Sequence, residues 1–368
     1  MGPETMVAFP QAVVGGTEEE RGPLGEALEG VQGGAGRGRP EEDRGQALPA
    51  EVRLRPAPGR RSMRVFPSDR HPLPLPTGHR FPIAKYRLLR ERLEAHAAAG
   101  AALEFIEPHA ATDEEILRVH DAAYVGRVLA GTLSAAEVRR IGFPWSPQLV
   151  ERSLRSTGAA VDAAAAALEE GIAASLAGGT HHAGRDWGEG YCVFNDTAVA
   201  AREMQARGAA SRVAIVDLDV HQGNGTADIF ASDPSVFTAS VHGERNFPLR
   251  KCAGSLDVGL PDGVGDAPYL EAVERVLGAV AAWRPDLVLY IAGADPYAGD
   301  RLGRLEVSRE GLVERDRRVF AAAAAVGAPV AIVCGGGYAE DVEAIVAIHA
   351  ATMLMAAALV EEGFPRRR

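Results

Sequence analysis

The sequence predicts an α/β fold in which helices cover a central, mostly parallel sheet. Three observations predict it. The composition, with 46% hydrophobic and 24% charged residues, is that of a globular chain with a sizeable core. Short apolar runs rich in β-branched residues recur along the chain, and helical patterns separate them. This alternation is typical of parallel strands joined by crossover helices.

Five apolar runs are the main predicted strands. Each is short and apolar along its whole length, as expected of a strand that is buried on both faces. A sixth run, MRVF, begins at Met63 and opens the folded part of the chain. The five main strands are predicted at residues 172–178, 213–219, 236–242, 287–293 and 329–335.

Helix signals lie between these runs. Thr112 followed by Glu115 fits a capping box, and Ser146 before Pro147 places an N-cap and a first-turn proline ahead of a long alanine-rich helix. The other main helices are predicted at residues 195–207, 266–283, 308–326 and 339–361.

The most apolar segment, residues 345–360, is interrupted by His349 and Thr352. It is also shorter than the roughly 20 residues that a membrane-spanning helix needs. We therefore expect a buried helix there and no membrane association.

Residues 1–62 differ from the rest of the chain. Gly, Pro, Glu and Arg dominate them, and neither a helical nor a strand period is sustained. We expect residues 1–62 to be a disordered or non-native N-terminal extension, and residues 63–368 to form one folded domain.

Charge and cysteine content restrict the partners and the compartment. The formal net charge of −11 disfavours nucleic acid as a partner, because binding it requires clustered Lys and Arg. Cys192, Cys252 and Cys334 are widely separated, which supports neither a disulfide framework nor a cysteine zinc site. We expect a reducing, cytoplasmic location; the pattern says nothing about the oligomeric state.

Polar motifs follow four of the predicted strands. THHA follows the strand at 172–178, DVHQGNG the strand at 213–219, GAD the strand at 287–293, and GGGY the strand at 329–335. Ligands bind open parallel sheets at the carboxyl ends of the strands. The four motifs are therefore predicted to meet in one crevice.

The second of these motifs carries a candidate metal site. Asp217, Asp219 and His221 alternate along the chain and so point to one side of a strand. Buried carboxylates are costly unless they bind a cation or belong to a hydrogen-bonded network, and alone the pattern also fits carboxylates that cap a strand end. Asp295, from another strand end, adds a third ligand and favours a catalytic metal with an open position.

Two further motifs supply candidate reacting groups. Beside a metal, one of His181 and His182 could take a proton from water, because imidazole titrates near neutral pH. Tyr338, after three glycines, could donate a hydrogen bond to an oxyanion, which is worth about 3 kcal/mol in comparable sites. The alternative to these catalytic roles is that the two histidines are ordinary surface residues and that the tyrosine ring is simply packed, with its hydroxyl bonded elsewhere.

Together these motifs resemble the zinc-dependent histone deacetylase family, over nearly the whole chain from Met63. Segments 68–81 and 242–248 look most like bacterial members close to the class IV group. The strings that carry the family resemblance are GGTHHA (178–183), GYCVFND (190–196), DLDVHQGNGT (217–226), GADPYAGD (293–300) and GGGY (335–338).

The resemblance implies the three-layer α/β/α arginase–deacetylase fold, with a narrow tunnel that leads acyl-lysine to zinc. It implies that His182 is the general base and then acid, that His181 is its electrostatic partner, and that Tyr338 stabilises the oxyanion. Asp217 would orient His181. The implied zinc ligands are Asp219, His221 and Asp295.

Two further sets follow from the resemblance. The implied tunnel lining is Gly190, Tyr191 and Phe247. The implied structural potassium site is formed by Asp217, Asp219, His221, Ser240 and Val241. Iron is an alternative to zinc. A second metal, as in the structurally similar arginases, is not expected, because Asn224 stands where a further carboxylate would be needed.

Asn224 also departs from the class I pattern, in which an aspartate pairs with the second histidine. A neutral partner raises an imidazole pKa less than a carboxylate does, so we expect His182 to be neutral more readily. The function predicted is removal of acetyl or other acyl groups from lysine side chains. Acetylated polyamines or other small acyl-amines are the alternative substrates, and a catalytically silent acyl-lysine-binding module is a third possibility.

Overall fold

The computed structural model describes residues 61–366. The predicted extension, residues 1–62, lies almost wholly outside the described residues and stays a prediction. The described part contains an eight-stranded sheet whose paired strands all run parallel, in the order β2-β1-β3-β8-β7-β4-β5-β6. The strands are β1 Met63–Phe66, β2 Leu103–Phe105, β3 Ile172–Ser175, β4 Val213–Asp217, β5 Val236–Gly243, β6 Leu256–Leu260, β7 Leu287–Ala292 and β8 Val330–Cys334.

Helices connect the strands, and the predicted caps are present. Thr112 and Glu115 form a reciprocal capping box, and Ser146 accepts from the main-chain N–H of Leu149 ahead of the long fifth helix. The helices are α1 Ala84–Ala98, α2 Asp113–Leu117, α3 Ala122–Ala130, α4 Ala135–Ile141, α5 Pro147–Glu170, α6 Asp196–Ala206, α7 Asn224–Ile229, α8 Asp266–Trp283, α9 Arg309–Val326 and α10 Val342–Glu362.

The sheet separates two apolar cores, as side chains that alternate along a strand require. On β8, Val330, Ile332 and Cys334 belong to the core shared with α1, α8, α9 and α10. Ala331 and Val333 belong to the opposite core, which α5 and α6 cover. Burial of each Val, Leu or Ile contributes about 1.5–3 kcal/mol. The predicted three-layer α/β/α arrangement is confirmed.

Helix α10 is long and apolar enough to cross a membrane by length and composition, with a mean hydropathy of 1.9 over its most apolar window. However, 56% of that window is buried inside the protein. Its side chains, including the fully buried Met353, join the same core as α1 and α9. This burial is what the core helix of a globular domain shows.

The strand order explains where the four polar motifs lie. β3, β8, β7 and β4 are consecutive neighbours in the sheet, so the motifs that follow them emerge side by side at one edge. Four of the five main strands are shorter than predicted, by one to three residues, and β3 already ends at Ser175. β4 ends at Asp217, because Asp217 accepts from the main-chain N–H of Asp219 and Asp295 accepts from that of Val220. Side-chain bonds thus replace the sheet ladder.

Candidate active site

Three side chains at this edge form a set of metal donors. The Nδ1 atom of His221 lies 2.9 Å from Oδ1 of Asp219 and 3.2 Å from Oδ2 of Asp295, and one ligand atom of each lies within 4.8 Å of the others. Zinc bonds of about 2.1 Å at tetrahedral angles separate two ligand atoms by about 3.4 Å. The donor set therefore fits a single zinc ion.

The glycines of the GGGY motif leave room for these donors. A Cβ atom on Gly336 would lie 1.8 Å from Oδ2 of Asp295 and 2.7 Å from Oδ2 of Asp219. The main-chain N–H of Gly336 donates to Asp219 at 2.6 Å. The glycine thus lets the main chain approach both carboxylates closely, which no side chain would permit.

The charges at this point also favour a cation. Burial alone would lower the pKa of His221, but hydrogen bonds to Asp219 and Asp295 raise it to about 10. Burial opposes ionisation of Asp219 as well, yet the charges of His181 and His221 hold its pKa well below its usual value. Burial and the nearby charge of Asp219 raise the pKa of Asp295 to about 7, and a divalent metal beside the two carboxylates would oppose both effects.

The paired histidines lie beside this set and have different partners. Nδ1 of His181 is 2.7 Å from Oδ2 of Asp217, whereas Nδ1 of His182 is 2.7 Å from Oδ1 of Asn224. Burial lowers the pKa of His181, but Asp217 and Asp219 raise it to about 9. Burial, then the charges of His181 and His221, hold the pKa of His182 well below its usual value. One imidazole is thus cationic and its neighbour neutral, an assignment of acid and base by environment.

Tyr338 lies beside the donor set. Its ring centroid lies 6.1 Å from that of His221. Burial, followed by the charges of Asp219 and Asp295, raises its pKa well above the usual value. The hydroxyl is therefore protonated at neutral pH and able to donate. Its main chain is fixed, because Asp300 accepts from its N–H and Nε of Arg301 donates to its carbonyl at 2.8 Å.

Comparison with known proteins shows the family of this chain. Residues 79–354 match the model of the histone deacetylase domain. The chain is 32% identical over 286 residues to a histone deacetylase-like amidohydrolase of Pseudomonas aeruginosa, covering 73% of this chain and 74% of that protein. The chain belongs to the histone deacetylase family.

Other relatives of the family extend the likeness. An uncharacterized protein of Picosynechococcus sp. is 44% identical over 288 residues, covering 77% of this chain and 96% of that protein. The solved HD domain of HDA15 has a TM-score of 0.69 at 25% identity, covering 81% of this chain and 88% of that one. A deacetylase homologue from Aquifex aeolicus has a TM-score of 0.70 at 24% identity, covering 81% and 84%. The fold is thus the histone deacetylase fold.

In this member of the family, the residues predicted to line a tunnel border the reacting groups. The ring of Phe247 stands 4.9 Å from that of His182, and 41% of the Phe247 surface is exposed. A Cβ on Gly190 would lie 2.6 Å from the ring of His182 and 3.3 Å from Phe247. Tyr191 adopts a left-handed φ of 68° and packs at 5.1 Å on Phe143, on the side of Tyr338.

The residues predicted to form a potassium site are also close together. Asp217 of β4 and Ser240 of β5 are paired across neighbouring strands, and Val241 follows Ser240 in β5. The hydroxyl of Ser240 lies 2.9 Å from Nδ1 of His242. Potassium binding at these residues stays a prediction.

Two charged residues near the site did not emerge from the sequence analysis. Lys85 of α1 is 2% exposed, and its Nζ lies 3.4 Å from the carbonyl oxygen of Gly337 and 5.3 Å from the ring centroid of Tyr338. Glu189 accepts from Nδ2 of Asn224 at 2.5 Å. The only signal for Glu189 was its place directly before Gly190. Lys85 lies in an ordinary amphipathic helix pattern that gives no sign of its position.

Proposed function

We propose that this histone deacetylase family member hydrolyses the amide of acyl-lysine side chains with water and one divalent metal ion, for which zinc is the leading candidate. The observation that carries the proposal is the position of His221. Its ring centroid lies 6.0 Å from that of His182 and 6.1 Å from that of Tyr338. A metal held by His221 would therefore have both a neutral imidazole and a protonated phenol as near neighbours.

The chain's own groups supply the remaining chemistry. When bound, a divalent cation supplies Lewis-acid polarisation of the amide carbonyl and lowers the pKa of a water molecule. Neutral His182 takes the proton from the attacking water and returns it to the leaving amine. The hydroxyl of Tyr338 donates to the oxygen that becomes negative during attack. Cationic His181, held by Asp217, adds positive charge to the same crevice.

The predicted tunnel lining favours a long, thin acyl-amine. Gly190 and Phe247 both lie against the ring of His182, and 41% of the Phe247 surface is exposed. A lysine side chain has four methylene groups that can pass between such apolar walls while its protein stays outside. Acetylated polyamines fit the same passage and are the alternative substrate class.

A direct assay tests the proposal. The purified chain is stripped of metal, reconstituted with zinc or iron, and analysed for metal content and for deacetylation of an acetyl-lysine peptide and an acetylated polyamine. We expect about one zinc per chain and zinc-dependent release of acetate from the peptide. An Asp295→Asn variant should lose both. Protein that binds no stoichiometric metal and releases no acetate from either substrate would overturn the proposal.

A silent acyl-lysine-binding module is the competing function. Such a module would tolerate loss of a metal donor or of the oxyanion donor, whereas Asp219, His221, Asp295 and Tyr338 are all present and converge. Tight peptide binding without turnover by the zinc-loaded protein would favour that alternative.

A further inference from the structure

A line of four side chains leads from the protein surface to His182. Nε of Arg140 donates to Oε2 of Glu189 at 2.8 Å. Oε1 of Glu189 accepts from Nδ2 of Asn224 at 2.5 Å, and Oδ1 of Asn224 lies 2.7 Å from Nδ1 of His182. The segments are far apart in sequence, so the line exists only in the folded protein.

The guanidinium of Arg140 and the carboxylate of Glu189 fix the direction of every hydrogen bond in this line. A guanidinium only donates and a carboxylate only accepts. The amide of Asn224 must therefore turn its NH2 group to Glu189 and its oxygen to His182. An oxygen acceptor requires a donor opposite it, so Nδ1 of His182 carries the proton.

This direction decides whether His182 can act as a base. A neutral imidazole has one N–H and one free lone pair, and a proton on Nδ1 leaves the lone pair on Nε2. Asn224 alone cannot make this choice, because its amide can rotate by 180° and present either an acceptor or a donor. An aspartate at this position would impose the choice without help.

We propose that Glu189 is a positioning residue that fixes the amide orientation of Asn224 and thereby holds His182 in the Nδ1–H tautomer, with Arg140 anchoring the carboxylate. The inference rests on the proposed role of His182 as the base.

The surroundings hold Glu189 in place. The residue is 9% exposed, and its carbonyl accepts from the main-chain N–H of Cys192 at 2.9 Å. The main-chain N–H of Gly190 donates to the carbonyl of Arg140 at 3.1 Å. The guanidinium of Arg140 also lies 5.3 Å from the ring centroid of Trp187. The carboxylate is therefore fixed by the same segment that forms the channel wall.

A Glu189→Gln substitution should reverse the direction of the hydrogen bonds from residue 189 through Asn224 to His182, and not merely weaken them. Arg140 can only donate, so the single amide oxygen of the glutamine turns to Arg140 and its NH2 group turns to Asn224. The Asn224 amide then rotates, its own NH2 group faces His182, and Nδ1 must accept. The proton moves to Nε2, where the lone pair was needed. We expect kcat to fall roughly 100-fold, the lower end of a general-base contribution, with KM and zinc content unchanged.

A second substitution should restore the original direction. In the double variant Glu189→Gln with Asn224→Asp, the glutamine donates to the new carboxylate, which again accepts from Nδ1 of His182. We expect kcat to recover to within about threefold of wild type, a reversal that lost packing alone would not produce. Asn224→Asp alone places two carboxylates in contact and should be impaired. Glu274→Gln, an exposed glutamate paired with Arg318, is the matched control and should leave kcat unchanged.

The tautomer itself is a second readout. Nitrogen chemical shifts of His182 in the zinc-loaded protein should show Nδ1–H in wild type and in the double variant, and Nε2–H in Glu189→Gln. A wild-type kcat in Glu189→Gln, a double variant no faster than that single variant, or one tautomer throughout would overturn the inference. If the wild type deacetylates nothing, the proposed function fails, yet the shifts still decide the role of Glu189.

Discussion

Replacement of Tyr338 by phenylalanine isolates the proposed oxyanion donor. Burial and the charges of Asp219 and Asp295 hold the pKa of the phenol well above its usual value, so the hydroxyl donates throughout the neutral range. The ring is held independently of that hydroxyl, with Phe81 and Tyr191 at centroid distances of 6.2 Å. Phenylalanine should therefore occupy the same place with only the donor removed.

Loss of one such donor costs about 3 kcal/mol of transition-state stabilisation, and 1.36 kcal/mol corresponds to a factor of ten. We therefore expect kcat for an acetyl-lysine peptide to fall roughly 160-fold, with KM, zinc content and unfolding temperature close to wild type. Steady-state kinetics on zinc-loaded protein measure this. A Tyr338→Phe variant that is as fast as wild type, with one zinc bound, would refute the role.

Three further predictions follow from the contacts. Gly336→Ala should lower zinc affinity at least tenfold, because its Cβ would lie 1.8 Å from Asp295, and metal titration tests this. The control is Gly278→Ala, in helix α8, where a Cβ would have nothing within 4 Å. That variant should bind zinc normally and gain up to about 1 kcal/mol of stability. Zinc added to metal-free protein should raise the unfolding temperature, since a ligand that binds only the folded state stabilises it; scanning calorimetry tests this, and Asp295→Asn should abolish the shift. Hydrogen bonds to Asp162 and then to Glu115 raise the pKa of His109 to about 9, so its charge stabilises the fold fully below pH 6.5 and this contribution is lost as the pH rises through 9. In urea unfolding, His109→Gln should lower the free energy of unfolding by about 1–2 kcal/mol at pH 6, after allowance for solvent screening, and by much less at pH 9.5. A loss of stability that does not vary with pH would contradict this role of His109.

The sequence predicted the centre of the sheet better than its edges. The five main strands all appear, because strands buried on both faces are apolar along their whole length. β2 and β6 were not predicted, and they are the two edge strands. β2 has only three residues, and most of β6 is partly exposed, so neither gives a continuous apolar run. The strand order was also beyond the sequence, since it depends on which runs pack side by side.

Convergence of the site could be predicted because the polar motifs follow strands whose carboxyl ends share one edge. The metal donors and both histidines lie directly after β4, β7 and β3 for this reason. Lys85 could not be found in the same way. It reaches Gly337 across 252 residues of sequence, and its helix carries no motif. Contacts of this kind depend on where a helix packs against the rest of the fold, and the periodicity of its own sequence does not determine that position.

Asn224 shows how a site residue can be identified correctly while its main contribution is missed. The sequence indicated a neutral partner that raises the pKa of His182 less than a carboxylate would. In the structure, burial is the largest influence on that pKa and lowers it, followed by the charges of His181 and His221. The hydrogen bond to Asn224 raises the pKa, so it opposes the neutral form. The useful contribution of Asn224 is therefore the direction of its hydrogen bond to His182. An amide can present either its oxygen or its NH2 group, so a neighbour that can only accept must fix its orientation, and Glu189 is that neighbour.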